Sequence, residues 1–106
     1  MPVPEILTTC GELRRGHMIA VKRVVLDVLK PHQPNALEFS RTIAAVGPDY
    51  RVHLTVLEMD ENTETLQMVV EGSAIDFDAL QASINAMGGS LHSIDEVEVE
   101  NAPAAG

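Results

Sequence analysis

Residues Val21 to His32, VKRVVLDVLKPH, decide how this chain of 106 residues is read. β-Branched and aliphatic residues fill the stretch, no glycine interrupts it, and Pro31 and Pro34 end it before a helical pattern starts. That is a long strand. Side chains alternate across a strand with period two, so Val24, Leu26 and Val28 share one face while Arg23, Val25, Asp27 and Leu29 share the other. The first face is a core face. The second is mixed, and a carboxylate at mid-strand needs a partner or water, so this side is either solvated or packed against another subunit through a polar contact.

Working outward, the first strand extends from about Ile19 to Lys30 and gives way at Pro-His-Gln-Pro to a helix capped by Asn35 and running to Ala45. Phe39, Ile43 and Val46 supply its buried stripe, and Gly47 and Pro48 stop it. Arg51–Met59 alternates as a second strand, with Val52, Leu54 and Val56 inward and His53, Thr55 and Leu57 outward. Asp60-Glu61-Asn62 turns the chain into a third strand, Thr63–Glu71, with Leu66, Met68 and Val70 inward. Asp76 caps a second helix whose stripe is Phe77, Leu80, Ile84 and Met87, and Gly88 ends it. The last strand is SLHSIDEVEVE, from Ser90 to Glu100.

Strand, helix, strand, strand, helix, strand, joined by right-handed crossovers, give a four-stranded antiparallel sheet of order 4-1-3-2 with both helices on one face. This α+β arrangement is the ferredoxin-like βαββαβ sandwich. The domain is expected over residues 18–100, preceded by a loosely ordered arm over 1–17 and followed by a tail over 101–106. Arg14-Arg15-Gly16 shortly before Met18 also resembles a translated ribosome-binding site, which would make Met18 the native start.

Composition narrows the function classes. Aromatics are 3% of the chain and Trp is absent, so the core is aliphatic, with five Met among its candidates. The net charge is -9, and no Lys or Arg follows Arg51. Such a surface repels phosphate backbones and anionic lipid, which argues against nucleic-acid and membrane partners. Cys10 is the single cysteine, so neither a disulfide nor a CxxC metal site forms within the chain. No apolar run is long enough to span a membrane and the N-terminus lacks signal-peptide character, so a cytoplasmic location is expected.

The runs LDVLKPHQP (Leu26–Pro34), EMDENTET (Glu58–Thr65), IDFDAL (Ile75–Leu80) and GGSLHSIDEV (Gly88–Val97) resemble an uncharacterised, mainly archaeal family, domain of unknown function 211. The resemblance covers roughly Val21 to Glu98. It implies a ferredoxin-like fold, a symmetric oligomer in the form of a ring, and a divalent metal as ligand; it implies no enzyme activity.

The expected topology gathers Lys30, His32, Glu64, Ser90, His92, Glu58 and Asp60 along one rim of the sheet. His32, His92, Glu58, Asp60 and Glu64 are the candidate ligands for a divalent metal, calcium or zinc among others, because imidazole nitrogen suits zinc and carboxylate oxygen suits calcium. Each also has a plain structural reading: His32 can hold its turn, and acidic residues commonly solvate a hairpin. Asp27, Arg23, Lys30, Asp95 and Glu96 are the candidate ligand or interface residues, with an Asp27–Arg23 or intersubunit ion pair expected. If Val97 and Val99 face inward, His92, Ile94 and Glu96 share the open face with Asp27; a bulge near Ser93 reverses this. Val25, Leu29, Leu57, Val69 and Ile94 make that face apolar enough to favour self-association.

The function expected is an oligomeric, non-catalytic module that senses or stores a divalent metal or small ligand at the strand-end rim or subunit interface. A purely structural scaffold is the first alternative. A small enzyme with a His general base and a carboxylate partner is the second, and it lacks a nucleophile–base–orienter arrangement and a phosphate loop.

Overall fold

The computed structural model describes residues 17–103. Its elements are β1 (His17–Pro31), α1 (Ala36–Ala44), β2 (Arg51–Met59), β3 (Thr63–Glu71), α2 (Phe77–Ala86) and β4 (Ser90–Pro103). The sheet is antiparallel in the order β2-β3-β1-β4, the expected order read from its other edge. α1 packs against β2, α2 against β4, and the helices touch each other. The fold is the ferredoxin-like sandwich. The expected arm, apart from His17, lies outside the described residues.

Caps and glycines place the helix ends. Asn35 accepts from the Glu38 N–H at 2.9 Å and Asp76 from the Ala79 N–H at 3.1 Å, each satisfying a donor that the first helical turn leaves free. Gly88 takes φ 84°, a left-handed conformation that costs a residue with a Cβ, just past the end of α2. Tyr50 fastens the other end of that helix: the Asp76 N–H donates to its hydroxyl at 2.6 Å. Its ring lies so close to Gly47 that a Cβ there would overlap it, and a Cβ at Gly72 would approach it to 3.0 Å.

The core follows the period-two reading. Val24, Leu26 and Val28 of β1 and Leu66, Met68 and Val70 of β3 are buried beneath Phe39 and Ile43 of α1 and Leu80 and Ile84 of α2. At about 25 cal/mol per Å² of apolar area removed from water, this single aliphatic cluster is the main source of stability.

β4 departs from regular pairing. It reaches Pro103, past the expected end at Glu100, because the start of β1 runs beside it from His17. β3 stops at the Arg23 level, so this β1–β4 segment projects beyond the body. The register skips His92 and Asp95 on β4 and Lys22 on β1. Ser93 therefore faces Asp27, Ile94 faces Leu26, and Glu96 faces Val25. Ile94 belongs to the helix side, not to the open face where unbulged alternation puts it. A further skip removes Leu57 from the alternation of β2 and sets Glu58 opposite Thr65.

Candidate functional site

Lys30 continues the inward parity of Val24, Leu26 and Val28 and is fully buried. A buried ammonium requires compensation. It receives three partners for three donors: Nζ donates to the Pro31 carbonyl at 2.8 Å, the Pro34 carbonyl at 2.7 Å and Glu64 Oε1 at 3.0 Å. Glu64 is its cross-strand neighbour on β3.

The second carboxylate oxygen of Glu64 meets His32 Nδ1 at 3.0 Å, and His32 Nε2 lies 3.0 Å from both the Asp60 and the Glu61 carbonyls. Both ring nitrogens thus face acceptors. Only the imidazolium can donate from both, and the hydrogen bond to Glu64, followed by that to Glu61, raises the His32 pKa above its ordinary value. In turn, hydrogen bonds from His32 and then Lys30 lower that of Glu64. The result is a closed Lys30–Glu64–His32 latch joining the end of β1, the proline turn and the β2–β3 hairpin.

The opposite face of the sheet has no helix over it among the described residues. Register places Arg51, Glu71, Arg23 and Glu98 in one row across it, His53, Val69, Val25 and Glu96 in the next, and Thr55, Gln67, Asp27 and Ser93 in a third. Arg23 pairs with Glu96 and, at 3.3 Å, with Glu71. Arg23, Arg51, His53, Val69 and Glu71 line a shallow depression of about 380 Å³. In the third row Asp27 Oδ1 is out of contact with solvent and has no hydrogen-bond partner among the described residues. Ser93, opposite it, gives its hydroxyl to Asp95 at 2.7 Å.

A family model described as uncharacterized ArCR, DUF211, matches residues 22–102, which contain every residue of the latch and of the open face. The chain belongs to the DUF211 family. It is also 40% identical over 80 residues to an uncharacterized protein of Methanocaldococcus jannaschii, covering 76% of this chain and 82% of that one.

Within this DUF211 chain the candidate rim separates. Lys30, His32, Glu64 and the Asp60 backbone converge, whereas Glu58 is exposed opposite Thr65, Ser90 lies opposite Leu29, and His92 is exposed in the bulge. No three side chains of His, Cys, Asp or Glu come together to hold a metal ion among the described residues. His32 and Glu64 have every ring nitrogen and carboxylate oxygen engaged, so a metal could use them only after the latch opened. The expected Asp27–Arg23 pair does not form, because Glu71 and Glu96 lie nearer the guanidinium. Asp95 holds Ser93, and Glu96 is on the open face beside Arg23. No described helix is long and apolar enough to cross a membrane.

Three residues of this surface carried no functional expectation. Arg51 and His53 share a face at period two on β2, and that spacing was the available signal. Gln67 offered none, since its position opposite Asp27 depends on the register of β3.

Proposed function

We propose that this DUF211 chain is a self-assembling, non-catalytic binding module that takes up a divalent cation or a small cationic ligand on its open sheet face around Asp27. The observation that carries this reading is Asp27 Oδ1, a carboxylate oxygen without solvent or a donor at the middle of that face. Such a group costs about 1–3 kcal/mol or more until something supplies a positive charge or an N–H. One carboxylate is too few for a divalent cation, which takes six or more oxygen ligands as calcium and prefers an octahedron as magnesium. The remaining ligands come from water and from a second copy, so assembly and binding belong together.

A catalytic role for His32 finds less support, because the ring is held at both nitrogens and offers no free base to a substrate. A scaffold without ligand is the second reading, favoured by the free edges of β2 and β4. Native mass spectrometry of the untagged protein before and after chelation, with elemental analysis, tests the cation. The proposal expects an oligomer that binds calcium or a transition metal stoichiometrically, loses it to chelator, and fails to bind it as Asp27→Asn. An oligomer that is metal-free, indifferent to chelator and not stabilised by added divalent cations refutes the cation reading.

A further inference from the structure

The two edge strands of the sheet are complementary to each other. β2 is one edge and β4 the other, and they run antiparallel across the sheet. If β4 of one copy lies beside β2 of a second with no offset, the sheet continues in the same alternation of directions. Each open-face row then continues as well. The row Arg51, Glu71, Arg23, Glu98 alternates in charge, and the next residue across the seam is again Arg51. In the neighbouring row Glu96 meets His53. Arg51 has no ion-pair partner among the described residues, although its register neighbours Glu71 and Arg23 are paired together.

The helix side gives an independent observation for the same register. There the rows are Val52, Val70, Val24, Val97 and Leu54, Met68, Leu26, Ile94, with their β4 ends left half bare: Val97 is 51% exposed and Ile94 48%. At zero offset Val97 and Ile94 fall beside Val52 and Leu54 of the second copy, so the core layer crosses the seam with no apolar residue set against a charge. One-residue slippage would place Glu98 and Glu96 against the apolar side, which makes the register self-selecting.

We infer that β4 pairs antiparallel with β2 of a second copy of this chain, Glu98 against Arg51 and Glu96 against His53. This deepens the self-assembly in the proposed function and rests on it. Each copy offers one edge and receives the other, so the contact is heterologous and repeats from copy to copy.

The test uses full-length chains: Arg51→Glu, Glu98→Arg, the double variant, and an equimolar mixture of the two single variants, compared by analytical ultracentrifugation with circular dichroism as the check on folding. Arg51 and Glu98 are both exposed, so the single variants retain the fold. Each single variant should assemble roughly tenfold or more weakly, the scale of losing a close interfacial charge pair. The double variant should recover the wild-type mass, because it restores opposite charges at every seam. The mixture should assemble more strongly than either single variant alone, because opposite charges meet wherever the two kinds of chain alternate. Ile94→Asp, on the other layer, should dissociate the assembly without unfolding the chain. Folded single variants that assemble like wild type overturn this seam and leave self-assembly standing. A wild-type chain that is monomeric overturns both and assigns the two edges to other occupants.

Discussion

Replacing Glu64 with Gln removes the only carboxylate in contact with Lys30 among the described residues, a lysine whose side chain is fully buried, while leaving volume and shape nearly unchanged. Lys30 keeps the Pro31 and Pro34 carbonyls, and these neutralise no charge. Breaking a buried pair from one side costs about 3–5 kcal/mol, and the two surviving hydrogen bonds place this case near the lower limit. For a domain of this size, about 3 kcal/mol corresponds to a fall in melting temperature of at least roughly 12 °C. Urea denaturation at fixed protein concentration gives the free energy directly, and fixing the concentration removes any contribution from assembly. Lys30→Met with Glu64→Gln should recover part of the loss, since the double variant buries no unpaired ammonium. A Glu64→Gln variant within about 1 kcal/mol of wild type would show that the burial of Lys30 is not compensated through Glu64 and refute the reasoning.

The latch also fixes the direction of the pH dependence. Glu64 titrates below its ordinary 4.5 when folded, so its contribution is complete above that value and is lost as acid protonates it through the lowered pKa. His32 titrates above its ordinary 6.5, so its contribution is complete below that value and fades as pH rises through the raised pKa. Stability measured across pH should therefore be highest between these limits. His32→Gln should flatten the alkaline side and also alter the acid side, because the hydrogen bond from His32 is the largest cause of the lowered Glu64 pKa; an unchanged alkaline slope would remove His32 from the latch. Asp27→Asn should leave the ligand-free protein at least as stable as wild type in chemical denaturation, because it discharges a carboxylate whose buried oxygen Oδ1 has no partner among the described residues, and a destabilised variant would show that the carboxylate already has a partner. Gly47→Ala should cost about 1–3 kcal/mol by displacing the Tyr50 ring, against about 1 for Tyr50→Phe, which loses only the hydrogen bond from Asp76; equal losses would mean that the ring yields freely.

The strands and helices were legible because their signals are local. Asn35 and Asp76 cap the helices that they were expected to cap, and the ends of β2 and β3 fall where the alternation and turn residues put them. Lys30 was harder. A lysine reads as solvated, yet its even spacing from Val24, Leu26 and Val28 already placed it on the core face, and Glu64 stands at the same parity as Leu66 and Met68. The skips at His92, Asp95 and Leu57 left no such trace, because no glycine or proline marks them. They are settled by the fit of β4 to β1 and of β2 to β3, which is a property of pairs of strands. For that reason Ile94 was assigned to the wrong side and the charge rows, which need three registers at once, were invisible in the chain alone.

Tyr50 is the only tyrosine and the chain has no tryptophan, so one ring supplies its tyrosine emission. That ring sits beside Gly47 and Gly72, and its hydroxyl accepts from the first backbone amide of the α2 cap. Light emitted by this protein therefore reports on a single joint between α1, β2 and α2, at the end of β2 away from the latch and immediately before Arg51 of that edge strand. Assembly through β2 takes place beside that ring and unfolding releases it, so emission followed as a function of protein concentration and of denaturant gives an unlabelled optical signal for each event.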